Sequence, residues 1–362
     1  MTTNALRGAL AAAALPTLAL AAVCWTGAST VAQQGADPYF MPPPETTTAY
    51  MPRVIIRNIR QDRAGNVWFA TFGGPIRYDG KEFTNFGEQT GLSRTRVFSL
   101  TEDHEGAMWF GSITGGASRL LGETAVRFTV APLPAPMSTR ENVSGLAGAD
   151  VQWIFEDREH DVWLASGNGV SRWDGESLTN YTTADGLVHD SVYAIAQDAE
   201  GRLWFGTQGG ICWWDGKAFH DFAEVAGRTF ENVRAVAVDR EGRMWFGGQQ
   251  GAFRWDGKAL AAFGTDDGLL STFVGSLLVD RKGNVWMGHP GRFPQFQDGG
   301  ASRYDGESFT RFTRKDGLTL DTVYCLCEDK DGRIWFGSAG DGACRWDGET
   351  FVDFSAEAPL RR

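Results

Sequence analysis

The sequence is poor in cysteine and histidine, and this shortage limits the chemistry it can carry. It contains five cysteines and five histidines in 362 residues. No pair of cysteines has a spacing typical of a metal site, and no His-x-Glu-x-x-His, Gly-x-Ser-x-Gly or phosphate-loop pattern occurs. We therefore predict no cofactor and no metal ion, and we assign no catalytic residue.

Positive charge is also in the minority. Lysine and arginine number 34 against 45 aspartates and glutamates, which gives a formal net charge of −11. Binding to a nucleic-acid backbone requires a basic surface, so a nucleic-acid partner is not expected. The same balance argues against a polybasic membrane-surface role.

Long hydrophobic runs are missing except at the N-terminus. There, Arg7 precedes an apolar run over residues 8–23, and Thr30-Val31-Ala32 forms a small-x-small pattern before Gln33. This order is typical of a secretory signal peptide, with a retained anchor helix as the alternative. We predict a signal peptide over residues 1–32, an extended linker over 33–53 and a periplasmic or secreted protein with no other membrane segment.

Internal repetition dominates the rest of the chain. Seven segments share the pattern aliphatic-x-x-aliphatic-x-x-Asp, a turn and then Trp, and successive tryptophans are 41, 54, 41, 41, 41 and 49 residues apart. These tryptophans are Trp68, Trp109, Trp163, Trp204, Trp245, Trp286 and Trp335. A period of about 40 residues is the scale of a propeller blade.

Each repeat reads as four short strands, here a to d, separated by turns rich in Gly, Asp and Asn. Asp-Gly between strands c and d is a strong hairpin signal. We predict an all-β fold over residues 54–362, a seven-bladed β-propeller with four short antiparallel strands per blade; an open solenoid is the alternative. The last strand of the last blade is either 351–354 alone, or residues 46–53 add a further outer strand to that blade.

Four of the cysteines fall at repeat positions that other repeats fill with core residues. Cys325 and Cys327 correspond to Ala194 and Ala196, and Cys212 and Cys344 correspond to Phe253. We therefore interpret these thiols as small core side chains instead of disulfide partners.

The repeats resemble the regulator-propeller repeat of bacterial two-component sensors. The match is carried by the recurring aliphatic-x-x-Ile-x-Glu-Asp-x-x-Gly-x-Leu-Trp-Phe-Gly-Thr, then Arg-Tyr/Trp-Asp-Gly, with residues 192–210 as a close example. The resemblance implies a periplasmic sensing propeller, often for carbohydrates, that precedes a membrane helix and a transmitter. This sequence departs from that plan, since it ends at Arg362 after the seventh repeat.

Two insertions distinguish individual repeats. Repeat 2 has about twelve extra residues in its d–a connection, and repeat 6 has eight in its b–c connection. In a propeller these connections share one face, so we predict that both insertions project from it and that ligands bind there. The candidate ligand-binding residues on that face are Arg94, Arg96, Trp153, His189, Asp190, Glu231, Asn232, His289, Arg292, Phe293 and Asp321.

The sequence leaves three functions open. The first is a sensor-like propeller outside the cytoplasm that binds a carbohydrate, another glycan or a small molecule. The second is a scaffold that contacts an envelope protein, such as a separate sensor kinase. The third is a lyase-type enzyme, for which His189 or His289 would be the candidate histidine.

Overall fold

The computed structural model describes residues 47–92, 95–131, 142–291, 299–318 and 322–355. They form seven sheets, each built from consecutive strands, which confirms the predicted seven-bladed propeller. Each sheet has four antiparallel strands, and the sheet of blade 2 has a fifth strand that pairs in parallel. Among these residues, no helix is both long and apolar enough to cross a bilayer. The predicted signal peptide lies outside the described residues.

Each blade follows one repeat, from the innermost strand a to the outermost strand d. Blades 1 to 3 comprise β1 (Ile56–Gln61), β2 (Val67–Thr71), β3 (Gly74–Tyr78), β4 (Phe83–Asn85), β5 (Val97–Glu102), β6 (Met108–Ser112), β7 (Gly116–Leu121), β8 (Thr124–Thr129), β9 (Asn142–Ser144), β10 (Trp153–Glu156), β11 (Val162–Ser166), β12 (Gly169–Trp173) and β13 (Leu178–Tyr181). Blades 4 and 5 comprise β14 (Val192–Gln197), β15 (Leu203–Thr207), β16 (Ile211–Trp214), β17 (Phe219–Asp221), β18 (Val233–Val238), β19 (Met244–Gly248), β20 (Gly251–Trp255) and β21 (Leu260–Phe263).

Blades 6 and 7 complete the ring, and short helices connect some of the blades. The strands of these blades are β22 (Ser276–Val279), β23 (Val285–His289), β24 (Gly300–Tyr304), β25 (Phe309–Phe312), β26 (Cys325–Glu328), β27 (Ile334–Gly337), β28 (Ala343–Trp346) and β29 (Phe351–Asp353). The helices are α1 (Gly87–Thr90) and α2 (Phe222–Ala226), with 3-10 turns at Thr183–Asp185, Thr265–Asp267 and Arg314–Asp316.

The repeated Asp and Trp are joined by a hydrogen bond in every blade. One carboxylate oxygen of the hairpin Asp accepts the backbone N–H four residues later, and the other accepts the indole N–H of the Trp. The indole bonds measure 2.7–3.0 Å across the seven blades. The hairpin Asp and the repeated Trp therefore act as one unit, which the spacing of the repeats alone did not predict.

A glycine after the Trp-Phe pair allows neighbouring blades to approach closely. A Cβ added at Gly206 would lie 2.9 Å from the carbonyl oxygen of Val233, and one at Gly247 would lie 2.5 Å from a Val274 methyl carbon. Real Cβ atoms do not tolerate such distances, so these positions require glycine to pack strand b against strand a of the next blade.

A second recurring contact joins the blades on the face of the a–b hairpins. The residue after the hairpin Asp donates its backbone N–H to a Glu or Gln at the end of strand a in the next blade. We call this bond the hairpin clasp, and it measures 2.6–3.0 Å at five interfaces. The pairs are Arg63 with Glu102, His104 with Glu156, Arg158 with Gln197, Arg281 with Glu328 and Lys330 with Gln61.

The ring closes between blades 7 and 1 with help from the N-terminal segment. Strand β29 (Phe351–Asp353) is the outermost strand of blade 7, as one of the two sequence alternatives proposed. Within the predicted linker, Thr48 forms a bridge to Phe83 of blade 1, and the Met51 amide donates to the carbonyl of Phe354 at 2.7 Å. Met51 is completely buried. Residues 47–53 therefore pack against both terminal blades and are part of the propeller.

The insertion of repeat 2 adds a strand that the sequence did not predict. Strand β9 pairs in parallel with β8, with Arg127 opposite Asn142 and Thr129 opposite Ser144. The chain thus returns along the outer edge of blade 2. The insertion therefore begins and ends next to the two outermost strands of blade 2, away from its innermost strand β5.

The four propeller cysteines give a first test of this core. All four are buried and free of disulfides, which confirms their interpretation as core residues. Burial raises the pKa of Cys212 to about 12 and that of Cys327 to about 11, and it raises the pKa of Cys325 still further. Since the thiolate is the reactive form, we expect iodoacetamide at pH 8 to leave all four unmodified in the native protein and to modify them after denaturation. Mass spectrometry of native and unfolded samples measures this, and rapid alkylation of the native thiols would contradict the core assignment.

Candidate functional site

The innermost strands surround a central cavity of about 1360 Å³. Each repeat contributes to it the residue that follows its first aliphatic residue, because side chains alternate along strand a. We call these seven residues the channel ring. They are Arg57, Phe98, Gln152, Tyr193, Arg234, Gly275 and Tyr324.

Arg57 lies between two aromatic rings of this ring. Its guanidinium carbon is 4.7 Å from the ring centre of Phe98 and 4.5 Å from that of Tyr324. Phe98 in turn stacks on Phe72 at 5.4 Å, and Arg96 covers Phe72 at 5.0 Å. Arginine stacked on aromatic faces keeps its N–H edge available for an acceptor.

Arg234 is the second cation of the channel ring. Its guanidinium carbon is 3.7 Å from the ring centre of Tyr193, and its Nε donates to Asn232 Oδ1 at 2.6 Å. Asn232 has a φ of 51°, a left-handed conformation that asparagine adopts more readily than most residues. Asn232 and Tyr193 therefore fix the direction of the Arg234 side chain.

The electrostatics of the cavity differ from those of the whole chain. Burial lowers the pKa of Arg57 and of Arg234, and the positive charge of Arg234 lowers that of Arg57 further. Arginine remains protonated despite such shifts. The described residues that line the cavity include Arg57, Arg60 and Arg234 but no aspartate or glutamate, although the chain has a net charge of −11.

Several polar atoms of the lining residues have no partner within the described protein. They are Arg57 Nε, Trp153 Nε1 and Ser276 Oγ, all of which are buried. A buried donor without an acceptor costs about 1–3 kcal/mol, so such atoms are usually satisfied by water or by a ligand. The cavity can thus offer a charged donor, neutral donors and aromatic faces to one molecule.

A shallow depression adjoins the cavity on the face of the b–c and d–a connections. It has a volume of about 590 Å³ and shares Tyr193, Arg234 and Gln249 with the cavity. Three predicted site residues line it: His189, Glu231 and Asn232. His189 Nδ1 accepts the backbone N–H of Ser191 at 2.9 Å.

The other predicted site residues are distributed differently. Trp153 lines the cavity, and Arg96 lies beside it on Phe72. Asp190 accepts the backbone N–H of Thr183 at 2.7 Å and lines neither the cavity nor the depression.

His289 is placed in the interior. It is fully buried, and its ring nitrogens lie 2.9 Å from the Phe273 carbonyl oxygen and 2.9 Å from Ser302 Oγ. Both nitrogens are therefore occupied by the protein, and burial lowers the pKa of this histidine to about 4. Arg94, Arg292, Phe293 and Asp321 lie outside the described residues.

The repeat 6 insertion begins beside the cavity. Pro290 and Gly291, which precede it, line the cavity wall. His289 pairs with Gly300 across the b–c connection, and Ala301 pairs with Phe312 at the end of strand d. In blade 2, Ala117 likewise pairs with Phe128 at the end of strand d. Both insertions therefore start at the same end of their blades.

Sequence reasoning missed the channel ring, although a signal for it exists. The first aliphatic residue of each repeat is always Ile or Val, and the residue after it varies between Arg, Phe, Gln, Tyr and Gly. When one position of an otherwise uniform strand carries a different residue in each repeat, its side chain does not have to pack in the core. Most of the predicted site residues precede strand a and are therefore neighbours of the channel ring in the sequence.

Comparison with known proteins identifies the repeat. Residues 91–114, 186–209, 227–250 and 317–340 match the family described as the two component regulator propeller. These segments cover strands a and b of blades 2, 4, 5 and 7. The sequence matches no curated protein.

Solved structures share the fold at low sequence identity. The extracellular domain of BT3049, described as a hybrid two-component system of B. thetaiotaomicron, is 23% identical with a TM-score of 0.67. That alignment covers 82% of this chain and 39% of that domain, so this chain spans well under half of it.

Two lyases share the same architecture. A streptogramin B lyase has a TM-score of 0.58 at 14% identity, with coverage of 83% of this chain and 96% of that one. Virginiamycin B lyase from Staphylococcus aureus has a TM-score of 0.57 at 14% identity, with coverage of 82% and 97%. At these identities the likeness shows the fold alone. Four of the seven repeats of this propeller thus match the two component regulator propeller model.

Proposed function

We propose that this propeller is a sensor-type binding protein outside the cytoplasm and that it takes up an anionic small molecule in its central cavity. The observation that carries the proposal is the pair of channel arginines, Arg57 and Arg234, in a cavity whose described lining contains no carboxylate. Both side chains are half-buried. A cation held partly away from solvent without a counterion is unfavourable, and an anionic ligand would supply the missing partner.

Charge and stacking together indicate the class of ligand. A carboxylate can accept two parallel N–H bonds from a guanidinium, and each hydrogen bond to a charged group contributes about 1.5–3 kcal/mol. Tyr193 and Tyr324 each carry a guanidinium near one face, and their remaining aromatic surface lies within the same ring of residues. A sugar acid combines a carboxylate with a face that packs on aromatic rings, and it fits both features.

The size of the cavity fits more than one sugar unit. Ligand pockets usually have volumes of about 300–1,000 Å³, and this cavity is somewhat larger at about 1360 Å³. A short acidic oligosaccharide with bound water would fill it. The adjoining depression extends the same surface past Arg234 towards Glu231 and His189.

A location outside the cytoplasm is supported by two observations. The N-terminal sequence predicts a signal peptide, and a structurally similar protein is the extracellular domain of a two-component system. The large apolar side chains exposed in the described residues are Tyr50, Leu121, Val130, Val225 and Val352. They are spread over the N-terminal segment and the elements of blades 2, 4 and 7, which favours a small-molecule ligand over a large apolar protein interface.

A matched ligand pair tests the proposal. We expect isothermal titration calorimetry to detect binding of a hexuronic acid oligomer and to detect much weaker binding of the neutral hexose oligomer of the same length. Binding of the acid should weaken as salt rises, because the interaction is between charges. Equal affinity for the two oligomers would contradict an arginine-based site, and the absence of binding across a panel of carboxylates would refute the anionic class.

A further inference from the structure

We propose that His104, Glu156 and His160 form a binding site for a divalent transition metal of the zinc type between blades 2 and 3. The site lies on the face of the a–b hairpins. His104 and His160 occupy the a–b hairpins of neighbouring blades, and Glu156 ends strand β10. No metal ion was predicted from the sequence, because no motif brings two of its histidines together.

The three side chains offer ligand atoms that all lie within 4.8 Å of one another. Glu156 Oε1 is 2.6 Å from His104 Nδ1 and 3.7 Å from His160 Nδ1. The two imidazole rings are stacked with their centres 4.0 Å apart. Zinc holds nitrogen and oxygen ligands at about 2.0–2.2 Å, so small rotations of two exposed histidines bring the three atoms to one ion.

The local sequence departs from the repeat at two positions of this interface. Six hairpins have a glycine at the last turn position, with φ between 78° and 94°, and the hairpin of blade 3 has His160 there with φ of 71°. A non-glycine residue in this region costs roughly 1–3 kcal/mol, which makes a functional reason worth testing. His104 occupies the first turn position, where other repeats carry Arg, Lys or Ala.

The hairpin clasp already brings the carboxylate to this point. Glu156 Oε1 accepts the backbone N–H of His104 at 3.0 Å, as the equivalent Glu or Gln does at four other interfaces. The Arg63 guanidinium is bonded to the His104 carbonyl at 2.9 Å and is thus directed at the backbone of this hairpin. The proposed metal site therefore uses a glutamate whose position is already fixed by the hairpin clasp.

The donor set defines the class of metal. Two imidazoles and one carboxylate suit zinc, copper or nickel, whereas magnesium and calcium prefer oxygen ligands alone. Three protein ligands leave a fourth position open to water or to another molecule. Because the ligands come from two blades, a bound ion would also join those blades.

Two variants remove a ligand and preserve the fold. His160→Gly restores the residue that the other six hairpins carry. Glu156→Gln keeps the acceptor for the His104 amide, since Gln61 and Gln197 perform the same clasp. Titration of tag-free, chelator-treated protein with zinc chloride should give one bound ion, and each variant should bind at least about tenfold more weakly. His220→Ala, which changes the His220–Asp215 pair of blade 4 at 2.8 Å, is the matched control and should bind normally.

Cobalt provides a second readout of the same site. Co²⁺ added to the native protein should give the visible absorption of a four- or five-coordinate ion, and His160→Gly should abolish it while melting at the same or a higher temperature. The proposal is overturned if the native protein binds no zinc, or if both variants bind it as tightly as the native protein. Magnesium should produce no response, and an equal response to magnesium would also overturn it.

Discussion

Replacing Arg57 with methionine should weaken binding of the acidic ligand by roughly 10- to 100-fold, the loss expected from one charged hydrogen-bonding group. Methionine keeps the length and the contact with Phe98 and Tyr324 but removes the charge. Arg234→Met should have an effect of similar size. Because the two guanidinium groups interact with each other and would contact the same ligand, we expect the double variant to bind more weakly than either single variant but do not expect the two effects to multiply. Calorimetry with the hexuronic acid oligomer measures each value.

The melting temperature separates this effect from a loss of structure. Arg57 Nε is buried without an acceptor in the described protein, so its removal should leave the melting temperature unchanged or higher. Arg254 provides a matched control, because its guanidinium packs on Trp245 and Phe263 away from the cavity. Arg254→Met should retain native affinity. Native affinity in Arg57→Met and Arg234→Met would remove the basis for the proposed site.

Replacing Trp204 with alanine should lower the free energy of unfolding by about 3–5 kcal/mol, as for other buried large aromatic residues. Trp204 is 2% exposed and packs on Phe222 and on Phe246 of the next blade, with ring centres 5.3 and 5.6 Å away. Its indole also donates to Asp198 at 2.7 Å. The expected loss of stability therefore has three sources. They are the cavity left by the indole, weaker packing between blades 4 and 5, and the loss of one hydrogen bond that Asp198 accepts.

Trp204→Phe distinguishes these contributions. Phenylalanine retains most of the packing but cannot donate to Asp198, so we expect a loss of about 1–3 kcal/mol. Urea unfolding followed by far-ultraviolet circular dichroism measures both variants. A loss below 1 kcal/mol in Trp204→Ala would show that the repeated Trp is not a main source of stability.

The fold could be predicted from the sequence because the same pattern of strands and hairpin turns occurs seven times. Trp204 and Trp245 sit 41 residues apart in blades of the same construction, and each repeat has its own hairpin signals. The repeat predicted strand order and blade number, since each sheet contains only neighbouring strands. It could not predict β9, because parallel pairing of the insertion with β8 depends on the outer edge of blade 2.

The site was harder to predict because its residues are separated along the chain. Arg57 and Tyr324 are 267 residues apart and meet only when the ring closes. His104 and Glu156 likewise meet across an interface, at 2.6 Å. His289 illustrates the opposite case: its place beside an insertion suggested a ligand contact, but its strand position directs it into the core. A local pattern reports which face a residue occupies only when the strand register is known.

The hairpin clasp has an uneven distribution around the ring. Blade 5 carries Val238 and blade 6 carries Val279 where other blades present an acceptor, so neither interface of blade 5 has this bond. Among the described residues, blade 5 is therefore the one blade without a hairpin clasp at either interface, and it is also the blade that contributes Arg234 to the channel ring.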